Sequence, residues 1–256
     1  MNDYDSGAER PIRLGLIVPS SNTTAEPEFR EFAPEGTTVH AARMALESVT
    51  VDELDEMSHD AVRGGELLGH ADVDAVAYAC TTGSLLHGPG FDAELEAEIG
   101  EAAGVPAIAT ARSVCRALEA LGAERIAVVT PYTADLDAKE REFLEAAGFE
   151  VVAIEGRGIE ANTEIGALDP SDAREQVLAV AADLEGAVDG ALDTSVDAVF
   201  VSCTNYRSLD AVAELEAELG VPVVTSNGAT LWDLCGHLDT TVDAPGALFA
   251  EPSRHV

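Results

Sequence analysis

The segment VDAVAYACTT, Val73–Thr82, recurs in the second half of the chain as VDAVFVSCTN, Val196–Asn205. Each copy contains a nearly continuous apolar run, which is typical of a strand buried in a parallel sheet. Each run leads to a cysteine that is followed by a threonine, and these cysteines are Cys80 and Cys203. Two more pairs of similar segments keep the same order, Arg13–Pro19 with Arg125–Pro131 and Gly104–Pro106 with Gly220–Pro222. Three ordered pairs predict two homologous halves.

Apolar runs and amphipathic stretches alternate along the whole chain. This alternation predicts an α/β fold of two similar Rossmann-like parallel-sheet lobes, related by a pseudo-two-fold axis, with the active site in the cleft between them. We expect residues 11–112 plus 226–250 to form the first lobe and residues 113–225 to form the second. The predicted strands are Ile12–Pro19, Val73–Ala79, Ala107–Ala109, Arg125–Thr130, Val151–Ile154, Val196–Ser202 and Val221–Thr225. The predicted helices are Val51–Gly69, Ala93–Ala103, Ser113–Leu121, Asp135–Ala147, Asp172–Leu184, Ser208–Leu219 and Ala229–Leu238.

The repeat divides the four cysteines into two classes. Cys80 and Cys203 stand at the carboxyl ends of predicted strands, the edge at which open α/β sheets bind ligands. Cys115 and Cys235 lie within predicted helices, where a cysteine is ordinarily a small buried apolar residue. The cysteines form no CxxC pair and the six histidines are scattered, so the spacing of a zinc site is absent from the sequence. Two thiols across one cleft can transfer protons or attack a substrate without a cofactor, and we predict none.

Polar residues after several strands suit an anionic substrate. The loop after the first strand carries hydroxyls, an amide and backbone N–H groups that can hold a carboxylate without a cation, although such a run is also an ordinary turn. The residues directly after Cys80 can donate N–H groups to an enolate or oxyanion. Asn162 lies in a predicted loop. The candidate substrate-binding residues are Ser21, Asn22, Thr81, Thr82, Tyr132, Asn162 and Thr204.

Acidic residues dominate the charge of the chain. There are 48 Asp and Glu against 14 Lys and Arg, a net charge of −34, and Lys139 is the only lysine. This argues against a nucleic-acid partner, because phosphate contacts require a basic patch. The acids are interleaved with apolar residues at helical spacing, which indicates a folded protein with an acidic shell. We hypothesise a halophilic source, because salt would screen the repulsion within such a shell.

The hydropathy pattern indicates a cytoplasmic protein. No apolar run reaches the roughly 20 residues that span a bilayer, so we expect no membrane partner. Met1–Arg10 is polar and acidic, which differs from a signal peptide. A cytoplasmic compartment argues against structural disulfides.

Seven motifs occur in a fixed order along nearly the whole chain. They are LGLIVPSSNTT (Leu14–Thr24), AARM (Ala41–Met44), YAC (Tyr78–Cys80), HGPG (His87–Gly90), TPY (Thr130–Tyr132), NTEIG (Asn162–Gly166) and VSCTNYRSL (Val201–Leu209). Together they resemble the maleate cis–trans isomerase family of the aspartate/glutamate racemase superfamily, which also includes arylmalonate decarboxylase. The resemblance covers both halves of the predicted fold.

The resemblance implies a division of labour between the two cysteines. Cys80 would add as thiolate to the double bond of maleate, the resulting single bond would rotate, and elimination would release fumarate. Cys203 would act as acid and base. Members of such a family are commonly oligomers, so a homodimer or homotetramer is expected. The residues implied to hold the carboxylates and the intermediate are Asn22, Tyr132 and Asn162, with Arg43 a further candidate.

Alternatives remain open at this point. The stretch Thr81–Ser84 is more polar than the resemblance to maleate isomerases implies, and is closer to racemase, decarboxylase and ectoine-utilisation branches. An amino-acid or hydantoin racemase, or an ectoine-utilisation-type or arylmalonate decarboxylase-like enzyme, is therefore an alternative. The decarboxylase branch keeps only the second cysteine, so Cys80 argues against it. A two-lobed carboxylate-binding protein is the non-enzyme alternative, but such proteins usually carry an export signal and do not need paired thiols.

Overall fold

The computed structural model of the chain describes residues 10–58, 60–186 and 196–253. The expectation about Met1–Arg10 therefore falls outside the described residues, apart from Arg10. The described chain forms two four-stranded sheets, in which all strand pairs are parallel. The first sheet contains β1 (Arg13–Pro19), β2 (Thr38–Met44), β3 (Ala75–Tyr78) and β4 (Ala107–Ala109). The second contains β5 (Arg125–Thr130), β6 (Glu150–Gly156), β7 (Ala198–Val201) and β8 (Val223–Thr225).

The two sheets have the same topology. Their strand orders are β2-β1-β3-β4 and β6-β5-β7-β8. The register between the central strands is also equivalent: Leu14 of β1 pairs with Ala75 of β3, and Ile126 of β5 pairs with Ala198 of β7. The predicted α/β fold with two similar parallel-sheet lobes is confirmed.

The aspartate of each VDAV repeat holds the start of the neighbouring strand. Asp74 Oδ2 accepts a hydrogen bond of 2.8 Å from the backbone N–H of Arg13, at the start of β1. In the second lobe, Asp197 Oδ2 accepts one of 2.8 Å from the N–H of Arg125, at the start of β5. The apolar residues of the repeat fill β3 and β7, which are buried throughout because helices cover both faces of each sheet. The repeat therefore specifies the same contact between the two central strands of each lobe.

Helices flank the sheets and also join them. In chain order they are α1 (Ala25–Phe32), α2 (Val51–Ser58), α3 (Ala61–Gly69), α4 (Thr81–Leu85), α5 (Phe91–Ala103), α6 (Thr110–Ala120), α7 (Ala134–Ala146), α8 (Asn162–Ile165), α9 (Pro170–Gly186), α10 (Val212–Leu219) and α11 (Ser226–Gly236). Helix α11 follows β8 and packs against α6, and it also contacts α1, β3 and β4 of the first lobe. This crossing links the lobes, and the exact lobe boundaries at residues 112 and 226 stay a prediction.

Some elements differ from those predicted. Strand β2 was not predicted, because it is half-exposed and carries polar residues without regular alternation. The predicted helix Val51–Gly69 is two helices, α2 and α3, and Asp60, a residue type favoured at helix starts, precedes the second. Asn162 begins the single turn of α8, so the prediction that it lies in a loop is wrong. Across the described part of the chain, no helix combines the length and apolar character that crossing a membrane takes.

Candidate active site

The carboxyl ends of β3 and β7 bring Cys80 and Cys203 to one cavity between the lobes. Both side chains are buried, with 4% and 6% exposure. The cavity is narrow and its volume is only about 10 Å³, roughly the room that one water molecule takes. It is lined by Pro19, Asn22, Leu46, Val49, Cys80, Thr81, Thr82, Tyr132, Asn162, Cys203, Thr204 and Asn205.

Cys80 lies where β3 turns directly into the short helix α4. Its Sγ is 3.9 Å from Thr82 Oγ1 and is also contacted by the backbone N–H of Gly83. The hydroxyl of Ser84 donates to the backbone carbonyl of Cys80 at 2.9 Å, which fixes the turn. Burial raises the pKa of the Cys80 thiol, and these two hydrogen bonds to the sulfur partly oppose the rise.

Cys203 has an unusual backbone conformation. Its φ is +96°, which residues with a Cβ rarely adopt and which is typical of functional sites held by their surroundings. Its backbone N–H donates to Ser226 Oγ at 3.0 Å, and Sγ accepts from the N–H of Asn205 at 3.3 Å. Ser226 Oγ also accepts from Thr81 Oγ1 at 2.8 Å. One hydroxyl therefore ties the backbone of Cys203 to the residue that follows Cys80.

The two thiols are electrostatically coupled. Burial raises the pKa of Cys203, a hydrogen bond with the Tyr132 side chain lowers it, and a charge on Cys80 raises it further. Two negative charges in one low-dielectric cavity repel each other strongly. Ionisation of one thiol therefore disfavours ionisation of the other.

A network of asparagines surrounds the thiols. Asn22 Nδ2 donates to Thr204 Oγ1 at 3.1 Å, while Asn22 Oδ1 accepts from two backbone N–H groups at the start of α1. Asn205 Nδ2 donates to the backbone carbonyl of Asn162 at 2.7 Å. The sequence prediction did not include Asn205, although it follows Cys203 and Thr204 at a strand end and the same rule points to it. Leu46 and Val49 were also missed, since nothing in their sequence distinguishes them from core residues.

Two predicted binding residues lie outside the lining of the cavity. Ser21 Oγ donates to the carbonyl of Leu46 at 2.5 Å and accepts from Asn162 Nδ2 at 2.8 Å. Arg43 is ion-paired with Glu26, and donates to the carbonyls of Ser20 and Asn22 at 3.0 and 2.9 Å. Both residues brace the loop that carries Asn22. A direct contact between Arg43 and a substrate stays a prediction.

The segment 45–50 closes the cavity from the first lobe. Ser48 forms an antiparallel bridge with Ala161 of the second lobe. The N–H of Val49 donates to Glu160 O at 2.7 Å, and the N–H of Asn162 donates to Glu47 O at 3.1 Å. These hydrogen bonds run between the lobes beside the cavity that holds the thiols.

The cavity offers neutral donors rather than cations. Among the residues that the structure describes, those that line the cavity carry amides, hydroxyls, thiols and apolar side chains, and none of them is Arg, Lys or His. Hydrogen bonds from neutral donors can hold a carboxylate in such a site. Within the described residues, no group of three or more His, Cys, Asp and Glu side chains is arranged to hold a metal ion.

Comparison with known proteins identifies the family. A family profile described as arylmalonate decarboxylase matches residues 14–249. The chain belongs to this family. It is also 34% identical over 248 residues to a maleate isomerase of Pseudomonas putida, covering 92% of this chain and 95% of that protein. The family assignment inferred from the seven motifs is confirmed.

Solved structures of family members have the same two-lobed fold. A variant of the maleate isomerase from Pseudomonas putida S16, solved with maleate, superimposes with a TM-score of 0.83 at 30% identity, covering 94% of this chain and 98% of that one. A cysteine-to-serine variant of the Nocardia farcinica maleate cis–trans isomerase also gives a TM-score of 0.83, at 28% identity over 93% of this chain and 98% of that one. That Nocardia protein carries a covalently bound succinylcysteine intermediate.

The chain described here also buries a carboxyl group close to the thiol of Cys203. Glu140 of α7 is fully buried, and its Oε1 accepts a 2.6 Å hydrogen bond from Ser202, the residue before Cys203. Its Oε2 has no partner among the residues that the structure describes. Burial raises the pKa of Glu140 to about 8, because an ionised carboxylate is poorly solvated there.

The wild type should lose stability as the pH rises, because Glu140 ionises. We expect the Glu140→Gln variant not to show this loss. The pKa of Glu140 is raised from 4.5 to about 8 on folding, so between these values the folded state binds a proton that the unfolded chain has lost. The free energy of unfolding therefore falls with rising pH, by roughly a few kcal/mol from this group. Urea unfolding near pH 5 and near pH 8 measures the difference, and the variant should be the more stable protein at the higher pH.

Glu142→Gln is the matched control, because Glu142 is exposed on the same helix and should leave the pH dependence unchanged. Glu28, whose pKa burial raises to about 7, contributes a slope of the same sign to all three proteins. If Glu140→Gln unfolded with the same pH dependence as the wild type, Glu140 would be ionised in the folded state at neutral pH and the prediction would be wrong.

Proposed function

We propose that this chain is a cofactor-independent isomerase that converts maleate to fumarate through a covalent adduct on Cys80, with Cys203 as acid and base. The observation that carries the proposal is the pair of buried cysteines, one from each lobe, lining one narrow cavity of neutral hydrogen-bond donors. Its support from relatives is the likeness of the chain to maleate isomerases over nearly its whole length.

The first half of the reaction forms a carbon–sulfur bond. The Cys80 thiolate adds to one carbon of the double bond, and the π electron pair moves to the other carbon and its carboxylate as an enediolate. The Cys203 thiol then donates its proton to that carbon. The products are a succinyl group on Cys80 and a thiolate on Cys203, so the total charge of the two sulfurs with the substrate is unchanged.

The second half reverses these steps after a rotation. The former double bond is now single and turns until the two carboxylates are on opposite sides. The Cys203 thiolate takes a proton from the carbon, the double bond re-forms, and the electron pair of the carbon–sulfur bond returns to Cys80 as the thiolate. Fumarate is released and both sulfurs are in their starting states.

Neutral donors would hold the substrate through this rotation. We assign the carboxylates to Asn22 and Asn162, and assign the enediolate to the hydroxyl of Tyr132 and the N–H groups after Cys80. Thr81, Thr82 and Thr204 complete the set, and Ser21 acts through Asn162, to which it is hydrogen bonded. Asn205 joins them, since it lines the cavity and orients Asn162.

Proton NMR with a panel of substrates tests the proposed function. Maleate, aspartate, glutamate, a hydantoin and an arylmalonate are each incubated with the protein in heavy water. We expect fumarate from maleate and no turnover of the other compounds. Deuterium at the α-carbon of an amino acid or hydantoin, with no fumarate from maleate, would replace the proposal with a racemase. A lack of turnover of every compound would favour a carboxylate-binding protein.

The acidic shell leads to a further proposal, that the protein is adapted to high salt. Its net charge of −34 creates self-repulsion in the folded state, which screening by salt reduces. We expect the free energy of unfolding to fall by roughly a few kcal/mol when molar potassium chloride is removed. Urea unfolding at several salt concentrations measures this, with a neutral osmolyte as the control for exclusion effects. Equal stability in salt-free buffer would contradict the adaptation to salt.

We also propose that the protein is a cytoplasmic homodimer or homotetramer. The described cysteines, which are all free, are consistent with a reducing compartment. The oligomeric proposal rests on the family resemblance alone. Size-exclusion chromatography with light scattering measures the mass in solution, and the mass of one chain would contradict it.

A further inference from the structure

Tyr78 carries a buried hydroxyl that the proposed reaction steps do not use. The residue is the last of β3 and is fully buried. Its Oη has no hydrogen-bond partner among the residues that the structure describes. Buried polar groups nearly always have a partner, because leaving one unpaired is costly. Because the Tyr78 hydroxyl is unpaired beside a reactive thiol, we expect it to gain a hydrogen-bond partner during the reaction.

The hydroxyl points into the space beside the Cys80 sulfur. Alternate residues of a strand project to the same face, so Tyr78 and Cys80 share one side of the chain. A Cβ on Gly83 would lie 2.6 Å from Tyr78 Oη and 3.1 Å from Cys80 Sγ. Tyr78 Oη and Cys80 Sγ therefore border the same small space, which exists because Gly83 has no side chain. Met57 Cε, 2.9 Å from the same point, closes the space with apolar surface.

We propose that Tyr78 is a positioning residue whose hydroxyl donates a hydrogen bond to Cys80 Sγ when the thiol ionises. This rests on the proposed function, in which the Cys80 thiolate is the nucleophile. The neutral thiol sulfur is a weak acceptor, and the contacts from Thr82 and Gly83 suffice for it. A thiolate accepts strongly, and hydrogen bonds to a charged acceptor are shorter and stronger than those to a neutral one.

The chemistry of the tyrosine fits a donor rather than a base. Burial, together with the nearby Cys80, holds the pKa of Tyr78 well above its usual range, so the hydroxyl keeps its proton. Burial also raises the pKa of Cys80 to about 11, so ionisation at neutral pH needs additional donors. Cys203 has the corresponding arrangement, with a hydrogen bond from the Tyr132 side chain and one from a backbone N–H. In this arrangement each thiol has a different tyrosine as its hydrogen-bond donor, Tyr78 for Cys80 and Tyr132 for Cys203.

Tyr78→Phe tests the proposal, because it removes only the hydroxyl. The pKa of Cys80 is read from the ultraviolet absorbance of its thiolate in a Cys203→Ser background. A blank that also carries Cys80→Ser is subtracted for each protein, which removes the contributions of Cys115, Cys235 and the tyrosines. We expect Tyr78→Phe to raise the pKa of Cys80 by about one unit, a tenfold loss of thiolate at fixed pH. With Cys203 intact, we expect kcat for maleate to fall about tenfold while KM changes little.

Stability provides a second readout that separates this role from a structural one. Because the hydroxyl is unpaired in the resting protein, Tyr78→Phe should unfold at the same or a higher temperature than the wild type. The matched control is Tyr206→Phe, since the Tyr206 hydroxyl contacts Arg157 and Gln176 at 3.0 and 3.1 Å. That variant should lose stability and leave the pKa of Cys80 unchanged.

The possible results distinguish this inference from the proposed function. An unchanged pKa of Cys80 in Tyr78→Phe would overturn the inference even if the wild type makes fumarate. A large loss of stability would also overturn it, because the hydroxyl would then have a structural partner. If the wild type converts no maleate but Tyr78→Phe still raises the pKa of Cys80, the proposed function fails and the hydrogen bond stands.

Discussion

Replacing Cys80 with alanine is expected to lower the turnover of maleate by roughly 10⁴-fold or more, because the variant lacks the sulfur that attacks the double bond. The change is small in structural terms, since it removes one buried sulfur and leaves the backbone contacts of α4 in place. We expect the loss to be in kcat, with binding of maleate retained. Proton NMR of fumarate formation, together with calorimetric titration of maleate, measures the two effects separately.

Cys235→Ala is the matched control for the removal of a buried thiol. Cys235 lies within α11, is fully buried and does not line the cavity. Its replacement should cost about 1 kcal/mol of stability through lost packing and leave kcat unchanged. Activity of Cys80→Ala within tenfold of the wild type would exclude Cys80 as the nucleophile, whatever the control shows.

Replacing Cys203 with serine is expected to trap the adduct on Cys80. Serine has nearly the same size and the same backbone preferences, so the φ of +96° remains equally strained. Its hydroxyl is a far weaker acid than a thiol and does not ionise near neutral pH, so the variant lacks the thiolate base, and the step that removes the proton from the adduct slows more than addition does. We expect kcat to fall by roughly 10³-fold or more.

Mass spectrometry identifies the trapped species. After incubation with maleate, the peptide that contains Cys80 in Cys203→Ser should gain the mass of one maleic acid. The double variant Cys80→Ala with Cys203→Ser should gain nothing under the same conditions. Full activity in Cys203→Ser would contradict the acid–base role, and an adduct on any other residue would contradict the assignment of the nucleophile.

The parts of the site that the sequence predicts are those that depend on strand ends. The VDAV repeat specifies two equivalent buried strands, and this equivalence is enough to place Cys80 and Cys203 at matching positions in the two lobes. The same logic points to Thr204 and extends to Asn205. It cannot place Leu46 or Val49, because they lie in the segment 45–50 of the first lobe, which packs against the second lobe, and packing across lobes leaves no periodic pattern in the sequence.

Backbone strain and hydrogen-bond pairing are likewise absent from the sequence pattern. Cys203, with its positive φ, donates its N–H to Ser226, which lies in a helix and stands 23 residues further along the chain. Arg43 has the residue type of a carboxylate ligand, but Glu26 and two carbonyls occupy its guanidinium. Which groups form such hydrogen bonds and ion pairs depends on the three-dimensional fold, and a single sequence does not show these pairings.

The acidic shell also has a kinetic consequence. Maleate is a dianion at neutral pH, and a protein with a net charge of −34 repels it as it diffuses towards the cavity. Screening shortens the reach of this repulsion from about 10 Å at 0.1 M salt to about 3 Å at 1 M. The encounter rate should therefore rise with ionic strength, the reverse of the behaviour of enzymes that attract their substrates. Salt would increase kcat/KM and leave kcat, which is set inside the cavity after maleate has bound, nearly constant.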